Sequence, residues 1–362
     1  MLKDDVKVIH PFQISIVGFS NTGKTTLIEK LLKELSQNHC IGFLKRDSHG
    51  FEIDKEGKDT YRIREAGASS VYIEDETRAA QYGDRVTYIS ETMSQCDIVI
   101  QEGWKYSDQP KLVMVGEEKH IIDDIKSGKI KNVLATISAQ RNPELNEYPH
   151  FYRNDIDGII EFIEENILQE AYATPVNGLV LTGGFSKRMQ EDKSQIDYHG
   201  KKQVERCYEL LSEVCLQTLV SCRPEQSFDL PTIEDTYLNK GPMGGILSAL
   251  DKDPEAAWLV LACDLPLVDI DTLENLITER NPFKMATTYV NSEGLPEPLC
   301  TIYEPHSSQT LLRFMSYGVK CPRKVLIHSN VKTLSLNGSD ALRNANTPEE
   351  REALKEIITN KK

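Results

Sequence analysis

The run Gln13–Val17, Q-I-S-I-V, reads as a short buried strand, and G-F-S-N-T-G-K-T follows it at Gly18–Thr25, satisfying G-x-x-x-x-G-K-[ST] in full. Beyond it, Leu27, Leu31 and Leu35 share one helical face. Strand, glycine-rich loop and helix in that order commit this part of the chain to an α/β architecture. The loop amides and the helix N-terminus are expected to cradle phosphates, with Lys24 reaching the outer groups and the Thr25 hydroxyl meeting magnesium. The nucleotide-contacting candidates are Gly18, Asn21, Gly23, Lys24, Thr25 and Thr26.

Such a loop needs a second acid on the magnesium side, at the end of a neighbouring buried strand. Asp97–Gln101, D-I-V-I-Q, reads as that strand, and Glu102 stands at its carboxyl end before Gly103, where ligands gather in open α/β sheets. An exposed loop acid is the bland alternative for Glu102. Between these elements, Gly42–Arg46 reads as a strand, and Asp47–Asp59 is too rich in charge and glycine for a core and is a candidate binding loop. Lys111–Val115 and Val133–Ile137 are further strands, and the isoleucines of Ile156–Ile167 recur at helical spacing as a packing stripe.

The combination of G-F-S-N-T-G-K-T-T-L, D-K-E-G-K-D-T-Y-R-I-R-E-A-G-A at Asp54–Ala68 and D-I-V-I-Q-E-G-W-K at Asp97–Lys105 resembles the molybdopterin-guanine dinucleotide biosynthesis adaptor proteins over most of the first half. The resemblance implies GTP binding through the loop, weak hydrolysis if any, and assistance to a partner transferase. The family's histidine-rich turn after the second strand is reduced here to Lys45 and His49.

A chain of 362 residues is long enough for about two domains. The boundary is placed at Gln169–Pro175, where a proline follows the isoleucine helix, giving domains at 1–170 and 176–362. No apolar stretch approaches the ~20 residues of a membrane span and no secretory signal is visible, so a cytoplasmic protein is expected. The net charge of −14 argues against broad nucleic-acid binding, and any anionic ligand must be held by local positive features. The 8 cysteines lack a C-x-x-C pair and the histidines lack H-E-x-x-H, so buried reduced thiols are expected rather than a metal site.

In the second half, the apolar run Gly178–Val180 opens into L-T-G-G-F-S-K-R-M-Q-E-D-K at Leu181–Lys193. Paired glycines with Arg188 and Lys193 can wrap amides and cations around a polyphosphate, although the glycines alone are equally consistent with a surface turn. Val204–Val214 reads as a helix, Leu216–Ser221 as a strand and Pro231–Asp235 as a strand ending in acids. The glycines of Gly241–Gly245 then lead into a helix at Ile246–Leu250. Ala256–Ala262 is a fully buried strand whose carboxyl end delivers Asp264, the natural magnesium ligand, to the crevice.

These blocks, with I-E-D at Ile233–Asp235, G-P-M-G-G-I, A-C-D-L-P, E-P-L-C-T-I-Y at Glu297–Tyr303 and N-A-N-T-P-E-E at Asn344–Glu350, resemble the molybdenum cofactor guanylyltransferases in their order. The resemblance implies two α/β domains: a P-loop NTPase-like first domain and a Rossmann-like nucleotidyltransferase second domain of glycosyltransferase-A type. It places Leu181, Thr182, Gly183, Gly184 and Ser221 against the nucleotide and Lys193 and Arg188 on its phosphates. It puts Asp235 at the guanosine, Asp264 on magnesium, and Asn344 and Asn346 on the pterin side. Thr182, Gln190 and Ser221 stand where the family has alanine, glycine and asparagine.

The implied reaction is attack of the terminal phosphate of molybdopterin on the α-phosphorus of GTP, with loss of pyrophosphate. It needs charge neutralisation and alignment rather than a covalent nucleophile. GTP, molybdopterin and Mg2+ are the implied ligands, with Thr25, Glu102 and Asp264 as metal-side residues. Molybdate-insertion proteins and molybdoenzyme chaperones are the further partners the resemblance suggests. A cytidylyl or sugar-1-phosphate nucleotidyltransferase, or a GTP-binding scaffold with a vestigial transferase, remain as alternatives. A signalling GTPase would carry N-K-x-D, but Asn239 and Lys240 are followed by Gly241 and Pro242.

Overall fold

The computed structural model describes residues 10–45, 56–66, 70–74, 79–83, 93–118, 120–182, 193–291, 293–336, 340–345 and 347–360. The chain divides into two units, residues 1–167 and 168–362, and the division falls within the helix Ile156–Ala173. The segment expected as a linker is therefore mostly helix. Gln169, Glu170 and Ala171 are good helix formers, and Ala171 is buried, so the helix runs on to Ala173 before Pro175 ends any continuation.

In the first unit a 6-stranded sheet has the order β2-β5-β1-β6-β7-β8, with β1 Gln13–Val17, β2 Ile41–Lys45, β5 Ile98–Glu102, β6 Lys111–Met114, β7 Val133–Ser138 and β8 His150–Tyr152. A separate antiparallel pair joins β3 Ser70–Glu74 to β4 Ala79–Gly83. All pairings in the larger sheet are parallel. β1 lies centrally and is buried along its whole length, as parallel strands covered on both faces require. The helix Lys24–Leu35 turns Leu27, Ile28, Leu31 and Leu35 into the core. The binding loop expected at Asp47–Asp59 lies largely outside the described residues.

The second unit is built on a 7-stranded sheet of order β11-β10-β9-β12-β14-β13-β15. β9 is Val176–Leu181, β10 Thr218–Cys222, β11 Thr232–Glu234, β12 Ala257–Ala262, β13 Ala286–Val290, β14 Pro296–Tyr303 and β15 Val331–Leu334. β14 runs antiparallel to both β12 and β13, so the sheet is mixed. Along β12, side chains alternate between two cores. Trp258 and Val260 pack with Met243, Ile246 and Leu250, while Leu259 and Leu261 pack with Val204, Leu211 and Leu273. That alternation fixes the strand's register and so the position of the acid just beyond it.

The helix placed at Ile246–Leu250 starts earlier, at Pro242, and runs to Lys252, so Gly244 and Gly245 are helical rather than part of a loop. Pro242 supplies a first-turn φ and lacks the N–H that a helix start leaves unpaired. None of the cysteines forms a disulfide among the described residues; Cys207, Cys222, Cys263 and Cys300 are buried as expected, whereas Cys96 and Cys215 are half-buried and Cys40 and Cys321 are exposed.

A buried ion pair ties the second unit together. Arg280 donates from Nε and Nη2 to Glu304 at 2.8 and 2.7 Å, and from Nη1 to the Thr174 carbonyl at 2.8 Å. Burial pushes the Glu304 carboxyl above its ordinary range, and Arg280 pulls it back down. Arg280→Met strands that acid, and a loss of about 3–5 kcal/mol is expected for the second unit in urea unfolding. The stranded Glu304 binds a proton more tightly folded than unfolded. The deficit should therefore be smaller in acid and grow as pH rises through the usual carboxylate range toward neutrality.

Candidate functional site

The first unit's loop follows β1 and leads directly into the helix at Lys24. Asn21 and Gly23 take left-handed φ values of 62° and 86°, which turn the loop around its centre. A Cβ on Gly18 would sit 2.8 Å from the Met114 carbonyl, so only glycine lets the loop lie against β6. Lys24 Nζ donates to the Phe19 carbonyl at 2.6 Å across the loop. Burial lowers the Lys24 ammonium, Glu102 opposes that shift, and Lys45 and Lys105 reinforce it.

Glu102 is the last residue of β5 and is buried, in register with Ile16 of β1 and Lys45 of β2. The Thr25 hydroxyl donates to Glu102 Oε2 at 3.0 Å, and Lys45 Nζ lies 3.7 Å from Oε1. The two residues chosen from sequence as metal-side groups thus meet directly. Thr26 is exposed on the next helical position.

In the second unit, the carboxyl ends of the parallel neighbours β10, β9 and β12 bring Ser221, Thr182 and Asp264 to one edge. The Thr182 hydroxyl donates to the Ser221 carbonyl at 3.0 Å, and Ser221 Oγ donates to Asp235 Oδ1 at 2.6 Å. Burial pushes the Asp235 carboxyl upward, while Ser221 and Arg223 pull it down. Lys193 Nζ lies 3.6 Å from Asp264 Oδ2, with both side chains largely buried. Burial raises the Asp264 carboxyl and Lys193 counters it. The Ala345 amide donates to the Asp264 carbonyl at 3.0 Å, which brings Asn344 to the same edge.

Thr182, Lys193, Ser221, Asp235 and Asp264, but not Asn344, line a cleft of about 420 Å³, within the range of roughly 300–1,000 Å³ usual for ligand pockets. Its walls include Leu181, Thr182, Lys193, Ser221, Asp235 and Asp264. Gly183, Gly184, Arg188, Gln190 and Asn346 lie outside the described residues. Asp264 Oδ1 and Asn344 Oδ1 are buried and have no hydrogen-bond partner among the described residues. A buried carboxylate oxygen left unpaired fits a site that takes a hard cation. No group of three or more His, Cys, Asp or Glu side chains suited to a metal occurs among the described residues, so such a cation would draw its other ligands from substrate oxygens and water.

The sequence reading missed Arg223, Gln226, Tyr237, Lys240, Gly245 and Leu299, all of which line the cleft. Gly245 is the instructive one. A Cβ there would meet Ser221 Oγ at 2.5 Å and Leu181 Cδ2 at 2.7 Å, so the helix packs against the cleft floor only through glycine. Gly245→Ala should push Ser221 off Asp235 and weaken nucleotide binding to the second unit by roughly 10- to 100-fold, the equivalent of losing one hydrogen bond to a charged group, read by calorimetric titration. A signal existed in the G-G pair of Gly244 and Gly245, whose spacing suited a loop and concealed a helix.

Residues 13–139 match the family described as molybdopterin guanine dinucleotide synthesis protein B, and residues 178–331 match the MobA-like NTP transferase domain. A molybdenum cofactor biosynthesis bifunctional protein of Synechocystis is 38% identical over 183 residues, 49% of this chain and 53% of that protein. A Bacillus subtilis protein named "probable molybdopterin-guanine dinucleotide biosynthesis adapter protein" is 31% identical over 159 residues, 41% of this chain and 90% of that protein. A molybdenum cofactor guanylyltransferase of Pseudomonas aeruginosa is 28% identical over 182 residues, 48% of this chain and 92% of that protein. The chain thus spans about half the length of the Synechocystis relative.

Proposed function

We propose that this chain, which belongs through residues 13–139 to the molybdopterin guanine dinucleotide synthesis protein B family and carries a MobA-like NTP transferase domain at residues 178–331, transfers GMP from GTP to molybdopterin. The products are molybdopterin guanine dinucleotide and pyrophosphate. The first unit is a second GTP site that serves the same pathway, and tethering keeps the two units at a high effective concentration.

One observation carries the reading: a single cleft sets Lys193 beside Asp264 at one place and Ser221 beside Asp235 at another. The first pair suits phosphates and the second suits a nucleoside. Asp264, and in the first unit Thr25 with Glu102, are the residues that would hold Mg2+. When bound there, the ion supplies positive charge to phosphate oxygens. Lys193 neutralises charge on the triphosphate, with Arg188 assigned to the same task from the resemblance. Asp235, fixed by Ser221, orients the nucleoside. Asn344 is assigned to the acceptor side from the resemblance. The in-line attack on the α-phosphorus then follows from alignment and charge balance rather than from a protein nucleophile.

Molybdate-insertion proteins and molybdoenzyme chaperones are proposed as further partners, and the cytoplasm as the location. Among the described residues no helix is long and apolar enough to cross a membrane. The reaction is tested by pyrophosphate release: it should require GTP and molybdopterin together. Release that proceeds equally with CTP, or with a sugar 1-phosphate as acceptor, would overturn the assignment.

A further inference from the structure

Lys105 is three residues beyond Glu102 and belongs to the loop that leaves the carboxyl end of β5. Gly103 and Trp104 take left-handed φ values of 116° and 52°, turning the chain back over the phosphate loop. The turn is braced from below. Ser107 closes onto the Trp104 carbonyl through its amide at 3.1 Å and its hydroxyl at 2.8 Å. The buried Lys111 ammonium donates to the carbonyls of Ser107, Gln109 and Lys131.

This brace puts Lys105 Nζ 3.9 Å above the Phe19 ring, a cation–π contact on a residue of the phosphate loop itself. The Phe19 carbonyl meanwhile accepts from Lys24. Two cations therefore rest on one loop residue, one on its ring and one on its carbonyl. Lys45 stands nearby on Glu102. In a chain of net charge −14, this mouth gathers Lys24, Lys45 and Lys105, with Glu102 between the first two and Asp124 within electrostatic reach of Lys105. The surplus is more than the nucleotide loop alone requires and suits the extra charge of a terminal phosphate.

We propose that Lys105 is a specificity-determining residue of the first unit, leaving its perch on Phe19 to contact the terminal phosphate and so favouring guanosine triphosphate over the diphosphate. This rests on the reading of the first unit as a GTP site. The Phe19 ring holds the ammonium within reach of the loop without neutralising it. The diphosphate lacks the group that Lys105 meets, so its affinity does not depend on this side chain.

The test uses the full chain and nucleotides carrying a fluorescent methylanthraniloyl label, the triphosphate in its β,γ-imido form. Trp104 adjoins Lys105, whereas the chain's other tryptophan, Trp258, is fully buried in the second unit's core. Energy transfer that disappears in Lys24→Ala reports first-unit binding. Lys105→Met should weaken the triphosphate about tenfold or more and leave the diphosphate within about twofold, and Lys105→Arg should recover most of the loss. Lys126→Met, which removes an exposed lysine paired with Glu144 and sharing no partner with Lys105, should change neither affinity. Equal loss for both nucleotides, no loss, or the same triphosphate loss in Lys126→Met would overturn the proposal. If Lys24→Ala leaves energy transfer unchanged, the first-unit GTP site itself fails and the role of Lys105 falls with it.

Discussion

Lys193→Ala is expected to slow guanylyl transfer by about 10²- to 10³-fold, the usual cost of removing one preorganised charge from a water-poor site. The reason lies in the geometry around Asp264. Lys193 is the cation 3.6 Å from an acid that burial already pushes toward its protonated form. In the proposed assignment, removing Lys193 takes positive charge from the triphosphate, and it also leaves Asp264 less able to stay ionised. Both losses fall on the turnover rate measured under saturating GTP. Lys193→Arg should keep part of the activity, because charge is retained while its placement changes. Unchanged transfer in Lys193→Ala would mean that the cleft does not do the chemistry.

The second large effect is a separation. Lys24→Ala should abolish nucleotide binding to the first unit and leave guanylyl transfer in the second within about twofold when GTP is saturating. Lys24 spans the loop to the Phe19 carbonyl and is the cation nearest the helix start. Among the described residues, those lining the cleft that holds Lys193 and Asp264 all belong to the second unit. Equilibrium binding with labelled GTP, paired with a transfer assay on the same preparation, checks both halves of the statement. A parallel collapse of transfer would show that the first site is required for the chemistry itself.

Much of the architecture was legible because a few local signals are hard to satisfy in any other way. The apolar run before Gly18 and the leucine face after Thr25 predict the strand and helix that are found at Gln13–Val17 and Lys24–Leu35. Glu102 could be chosen because an acid ending a buried strand beside that loop has a chemical reason to be there. It is the last residue of β5 and accepts from Thr25. Asp264 was visible by the same logic from β12.

Other features depend on contacts far apart in sequence. The helical placement of Gly244 and Gly245 follows from close approach to the Tyr237 carbonyl and to Ser221, which no local pattern encodes. The continuation of Ile156–Ala173 past Ile167 follows from the helix propensity of Gln169–Ala171 and the burial of Ala171, and the helix stops before Pro175. Arg223 and Tyr237 look like ordinary loop residues until β10 and β11 bring them to the cleft. The antiparallel β14 also escapes a reading based on alternation of strands and helices, because pairing direction is set by the returning chain.

The most direct test of the account is mass spectrometry of the products formed by the full chain with molybdopterin, Mg2+ and each nucleoside triphosphate supplied in turn. Molybdopterin guanine dinucleotide is expected from GTP alone, and none from GTP when Asp264 is replaced by alanine. A dinucleotide formed with CTP at a comparable rate, or no adduct with any nucleotide, would contradict it.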